Sequence, residues 1–163
     1  MSITYDRTAL RAKADQYCQG NNTSVKQQLG YGTQGVVFLT ERNSVVKVHS
    51  LKQGYQRERD AYRRLQERNI VTVRGLMIPR IKNWDDQLFA FEMSMVHVPC
   101  VLDFGGAYLD QRPEHVIRDD QWFEEKASEF GENWQEAQAV IREIECRGDI
   151  WMSDVNTGNI KFE

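Results

Sequence analysis

Glycine, lysine, glutamate, aspartate and asparagine recur in this chain at spacings that suit phosphate chemistry. Gly30-Tyr31-Gly32-Thr33-Gln34-Gly35 is a G-x-G-x-x-G stretch, and glycines of this kind let main chain come close to a phosphate. Lys47 stands twelve residues after Gly35, in Val45-Val46-Lys47-Val48, and its ammonium is a compact donor to phosphate oxygens. Glu58, eleven residues further on, is an acid that could fix that ammonium and keep it charged. Taken alone, a glutamate among Arg57, Arg59, Arg63 and Arg64 reads as a solvated surface residue. Asp154-Val155-Asn156-Thr157-Gly158-Asn159 puts a carboxylate and a carboxamide on one tight loop. The aspartate can accept or orient the proton of an attacking hydroxyl, and the asparagine can hold a magnesium ion on phosphates. A loop rich in Asn, Asp and Gly is otherwise an ordinary turn.

The elements around these residues decide what the glycines serve. In a dinucleotide-binding unit the third glycine opens a helix whose N-terminus receives a pyrophosphate. Here it opens the β-branched and aromatic run 36–40, which reads as a strand; Arg42-Asn43-Ser44 turns the chain into a second strand, 45–49. The result is a glycine-rich hairpin with a lysine on its next strand. A strand over 25–29 precedes the hairpin. Before it, 6–18 reads as a helix capped by Asp6, with Leu10, Ala14 and Tyr17 on one face. A helix over 53–68 places Glu58, Tyr62 and Leu65 on one face, so that face can pack beneath the sheet while Glu58 reaches Lys47. Strands over 76–84 and 87–93 are joined at Asp85-Asp86. Beyond His97 the texture becomes helical. Asp103-Phe104-Gly105-Gly106 is a loop, Arg112-Pro113 starts a helix-rich stretch, and Trp134, Ala137, Ile141 and Ile144 form a buried face ended by Arg147-Gly148. The remainder reads as irregular up to an apolar strand start at Ile160. This is an α+β pattern, expected as two lobes around one cleft.

With 163 residues, 40% of them hydrophobic and 28% charged, the chain can bury a real core. A net charge of −3 gives no sign of a nucleic-acid or anionic-membrane surface. No apolar run reaches the roughly 18 residues of a membrane span. The start has no apolar segment of a classical signal peptide, so a cytoplasmic location, or export by a signal-independent route, is expected. Cys18, Cys100 and Cys146 are odd in number and widely separated, which argues for free thiols. His97-Val98-Pro99-Cys100 supplies too few ligands for zinc.

With Gly30, Gly32, Gly35, Lys47, Glu58, Asp154 and Asn159 in this order, the chain resembles the eukaryotic-like protein kinase superfamily over about residues 25–163. The resemblance implies a protein-kinase-like fold. Residues 1–24 would be a helical extension, 25–93 an N-lobe with an antiparallel sheet and one helix, and 94–163 an abbreviated helical C-lobe. It implies ATP and magnesium as cofactors, with Gly30, Gly32, Gly35, Val37, Lys47 and Glu58 around the nucleotide. By the same likeness Phe91 is the gatekeeper behind the adenine, and Glu92-Met93-Ser94 is the hinge, with Glu92 and Ser94 binding the cofactor. Asp154 and Lys47 are the catalytic residues and Asn159 the metal ligand. The chain departs from the pattern in reading Met152-Ser153-Asp154 where His-Arg-Asp is usual, and in carrying Asn156 two residues past the aspartate. A metal-binding Asp-Phe-Gly would be expected beyond Glu163, because Asp103-Phe104-Gly105 precedes Asp154 and cannot replace it.

The brevity and the Asp-x-Asn-Thr-Gly-Asn loop are similar to those of secreted effector kinases of Gram-negative pathogens, the OspG/NleH and HopBF groups. That resemblance implies a serine/threonine kinase secreted into a host cytosol, with a protein substrate there such as a heat-shock chaperone. Two alternatives stay open on the sequence: a pseudokinase or nucleotide-binding interaction module, and a small-molecule kinase acting on an aminoglycoside or sugar.

Overall fold

Asp6 opens the first helix, α1 (Arg7–Gly20), by accepting hydrogen bonds from the N–H groups of Thr8 at 2.9 Å and Ala9 at 3.3 Å. These are donors that a helix start leaves without partners. Leu10, Ala14, Tyr17 and Cys18 are buried on one face. They pack with Val36, Phe38, Val46, Val48 and Ala90, so the segment read as an extension supplies a layer of core. The structure is a computed structural model and describes residues 6–163.

The strands that follow are β1 (Val25–Tyr31), β2 (Gly35–Thr40) and β3 (Ser44–His49), then helix α2 (Lys52–Glu67). After it come β4 (Thr72–Val73), β5 (Leu76–Met77), β6 (Ile81–Asp85) and β7 (Ala90–Ser94). Five of these strands form an antiparallel sheet in the order β1-β2-β3-β7-β6. Strand alternation gives this sheet two different faces. Val36, Phe38, Val46 and Val48 pack with the helix α1 residues. Val37, Lys47 and Phe91 are directly opposite one another, as are Val45 and Met93, and this set takes the other face. The α+β class is as expected. One helix, α2, follows the third strand of this sheet.

Two compact units are formed. The first holds the described residues through Arg59 together with Arg80–Met95; the second holds Asp60–Pro79 and Val96–Glu163. The division falls within α2. It also explains why the single strand expected over 76–84 is two. Pro79 has no N–H to donate, and the chain changes sheets around it. β5 lies in a four-stranded sheet of the second unit, β11-β8-β5-β4, where β8 is Cys100–Val101 and β11 is Ile160–Lys161. The next hairpin turns over four residues, 86–89, with the Asp85 carboxylate accepting from the N–H groups of Gln87 and Leu88 at 2.8 and 2.9 Å.

In the second unit, β9 (Ala107–Leu109) precedes helices α3 (Asp120–Phe130) and α4 (Trp134–Gly148). The first helix begins at Asp119, whose carboxylate caps Trp122 N–H at 2.9 Å, and not at Arg112-Pro113. Arg112 instead donates from Nε and Nη2 to the Val116 carbonyl at 3.0 and 2.8 Å, which holds an irregular connection. α4 buries Ala137, Val140, Ile141 and Ile144, and Asp149 ends it in the left-handed conformation. The segment after α4 is more regular than expected. β10 (Ile150–Met152) pairs with β9 and β11 pairs with β8, so the loop from Asp154 to Asn159 is anchored at both ends. No helix among the described residues is long and apolar enough to cross a membrane.

Candidate functional site

Strand period and helix period bring three ionisable side chains together in the first unit. Lys47 and His49 are two residues apart on β3 and therefore share a face. Glu58 comes to that face from α2. Lys47 Nζ lies 2.9 Å from Glu58 Oε1 and 2.8 Å from Oε2, and His49 Nε2 lies 2.7 Å from Oε2. Both Glu58 and His49 are wholly buried, and Lys47 nearly so. Burial pushes the Glu58 carboxyl towards its neutral form, but the charge of Lys47 and the hydrogen bond from His49 outweigh it and lower the pKa to about 2. Glu58 is thus an anion that holds an ammonium. Tyr62 and Leu65, one and two turns along α2, are buried as the helical spacing predicts. Arg59 folds over the Tyr55 ring and pairs with Asp86.

The glycine hairpin closes tightly, with Gly32 N–H donating to the Gly35 carbonyl at 2.9 Å. Its three glycines are not equivalent. A Cβ on Gly35 would sit 2.1 Å from the Val48 carbonyl oxygen, whereas Cβ atoms on Gly30 or Gly32 would meet nothing within 4 Å. Gly35 is therefore required by its neighbour strand. Gly30 and Gly32 leave open space. Gly35→Ala is expected to lower stability by about 1–3 kcal/mol, as overpacking against main chain does, whereas Gly30→Ala and Gly32→Ala should melt close to wild type. Thermal melting of the three variants checks this.

Sheet register fixes what each β7 side chain faces. Phe91 is opposite Lys47 and packs against His49 and Tyr55, with ring centroids 5.3 and 6.4 Å away. It therefore backs the Lys47–Glu58 pair. Met93, opposite Val45, shares the Phe91 face nearer the strand end. Glu92 lies mid-strand between Val46 and Asn83, with its carboxylate buried on the α1 side. It accepts from Tyr17 Oη at 3.3 Å, from Ser44 Oγ and from Arg42 Nη2 at 3.2 Å. This side-chain role had no signal in the sequence. The carboxylate ties α1 to the sheet, and with burial it pushes the Tyr17 hydroxyl pKa up. Ser94 ends β7 with its N–H donating to the Arg80 carbonyl and its Oγ accepting from Arg80 N–H, both at 2.9 Å. The donor an adenine would need from Ser94 is thus spent within the sheet.

Asp154 and Asn159 come together in the second unit. Asn159 Nδ2 donates to the Asp154 carbonyl at 2.8 Å and to Asp154 Oδ2 at 3.3 Å. Asn156 Nδ2 donates to Asp154 Oδ1 at 2.9 Å, while its own Oδ1 accepts from Gly158 and Asn159 N–H at 2.8 and 3.1 Å. Asn156 therefore shapes the turn, a task that chain position alone did not reveal. Asp154 is exposed and Asn159 is buried. Three further residues support the loop. Arg118, paired with Glu145 at 2.6 Å, donates to the Met152 carbonyl at 3.1 Å. Glu129 accepts from Thr157 N–H at 3.0 Å. Gly106 accepts from Ser153 through its carbonyl and lies so close that a Cβ there would meet Ser153 Oγ at 2.4 Å. None of the three had a sequence signal beyond its residue type.

A magnesium ion fits this loop through one protein atom. Asn159 Nδ2 is turned to Asp154, so Oδ1 is the atom that would be the ligand, and magnesium commonly takes its other ligands from water and phosphate oxygens. Among the described residues no group of three or more His, Cys, Asp or Glu is arranged to hold a metal.

No family model matches the chain, and no curated protein matches it. Among solved structures, the streptomycin-ATP-APH(2'')-IIa ternary complex is similar, at 15% sequence identity and a TM-score of 0.44. The match covers 87% of this chain and 40% of the other, so the chain spans less than half the length of that neighbour.

Proposed function

We propose that this chain is a kinase-like phosphotransferase that binds ATP and passes its γ-phosphoryl group to a hydroxyl. The buried Lys47–Glu58 pair, behind a glycine hairpin with open space at Gly30 and Gly32, carries the reading. A buried ion pair is no better for stability than apolar residues of the same volume, so a lysine kept charged there speaks for a ligand. Lys47 would hold phosphate oxygens. Val37, Val45 and Met93, on the Lys47 face of the sheet, supply apolar surface for the base.

Transfer would proceed by attack of the acceptor oxygen on the γ-phosphorus as the bond to the β–γ bridging oxygen breaks and ADP leaves. The acceptor proton passes to the Asp154 carboxylate and then to water. Asn159 Oδ1 would hold magnesium, which when bound neutralises charge on the phosphates. The acceptor proposed is a protein serine or threonine, supported by the short Asp-x-Asn-Thr-Gly-Asn loop and its likeness to effector kinases. Location in a host cytosol belongs to that same reading.

Calorimetric titration with ATP and magnesium tests the first step. Wild type should bind. Lys47→Arg keeps the charge opposite Glu58 but changes the donor geometry, and should cut affinity or turnover about tenfold or more, in line with loss of a charge-assisted hydrogen bond, at an unchanged melting temperature. A wild-type protein that takes up no ATP would sink the proposal. Transfer to an aminoglycoside or sugar, with none to protein, would move the acceptor to small molecules.

A further inference from the structure

We infer that His49 is a positioning residue, which holds the Glu58 carboxylate against Lys47 and so fixes the lysine for phosphate. The functional half of this inference rests on the reading above; the structural half does not. Glu58 is gripped by two residues of one strand, Lys47 across both its oxygens and His49 on Oε2 at 2.7 Å. The imidazole is wholly buried and confined. Tyr55 meets it edge-on at 5.7 Å, Phe91 lies at 5.3 Å, and Nδ1 faces the Phe89 carbonyl at 3.4 Å. A phenylalanine or leucine would fill such an aromatic surround without the cost of burying a polar ring. What a histidine adds is the Nε2 contact to Glu58. With that contact, the first half of α2 is tied to β3 at a second point. If Lys47 shifts towards a phosphate, the Glu58 carboxylate keeps a buried partner and has no reason to leave. A sheet that held Glu58 by Lys47 alone would lose the helix position whenever the lysine moved.

Two measurements test this. The first is long-range proton–nitrogen NMR of the histidine rings in wild type and Glu58→Gln. The His49 ring should show a slowly exchanging Nε2–H that shifts when Glu58 is changed; a ring signal indifferent to Glu58→Gln overturns the contact, whether or not the protein binds ATP. The second compares His49→Leu and His49→Gln, since the glutamine amide reaches about as far as Nε2. His49→Leu should lower kcat by about tenfold or more, the worth of a hydrogen bond to a charged group, with KM for ATP changed far less. His49→Gln should recover most of that rate. Equal impairment in both variants would mean that only ring packing matters, and wild-type rates in both would mean that the contact does nothing; either result overturns the assignment. A wild type without ATP binding removes the phosphotransferase reading and leaves the NMR result to decide the contact.

Discussion

Asp154→Ala should lower phosphate transfer by about 10²–10⁴-fold, the usual worth of a positioned proton acceptor, while ATP affinity stays at the wild-type value. The local structure makes this a clean substitution. The Asp154 side chain is exposed and, among the described residues, accepts from Asn156 and Asn159. The stronger tie of Asn159 Nδ2 goes to the Asp154 main-chain carbonyl at 2.8 Å, and alanine keeps that carbonyl. The loop is also closed by Asn156 through its own side chain and held by Leu102 N–H on the Asn159 carbonyl at 2.7 Å. Asn159→Ala removes the proposed magnesium ligand and the tie to Asp154 together, and should weaken both nucleotide binding and transfer. Radiolabel transfer to protein acceptors, read beside calorimetric ATP titration, separates the two. Equal labelling by wild type and both variants would remove the loop from the chemistry. Binding without labelling by any form would make the chain a nucleotide-binding module.

The pairing of Lys47 with Glu58 was legible because two periods agree. A strand places Lys47 on one face, and a helix places Glu58 on the stripe of Tyr62 and Leu65. The same strand period places His49 beside Lys47, and that went unread because a histidine in an apolar strand looks like core. Other features depended on information that spacing does not hold. Nothing in 76–84 marks where one sheet stops and another begins except Pro79. β7 meets β3 only after α2 and β4–β6 have intervened, so their register is non-local, and that register makes Phe91 a backing residue and Glu92 an anchor for α1. The supports of the Asp154 loop come from Gly106, Arg118 and Glu129. Those contacts exist only once the second unit is folded.

Lys47→Ala should be the most destabilising substitution in the first unit, and its cost should depend on pH in a way that identifies the cause. In the folded protein the Glu58 pKa is lowered to about 2, against roughly 4.3 in an unfolded chain. A group depressed on folding contributes stability that is present above the unfolded pKa and lost as pH falls through the folded one. Here that window runs from about pH 4.3 down to about 2, and the shift corresponds to about 3 kcal/mol at 1.36 kcal/mol per unit. Without Lys47 the strongest of the influences that lower it is gone, so the carboxyl pKa should rise from that value. At neutral pH the variant carries a buried anion held only by His49, which typically costs about 3–5 kcal/mol. The wild-type advantage from this pair fades as Glu58 is protonated, so Lys47→Ala should gain on wild type on acidification. Urea unfolding between about pH 3 and pH 7 shows the effect directly. Adding Glu58→Gln to Lys47→Ala removes the buried charge and should restore most of the loss at pH 7, although Glu58→Gln alone is destabilising. Parallel pH curves for wild type and Lys47→Ala, with no rescue by the second change, would mean that the lysine stem and not its charge holds this part of the sheet.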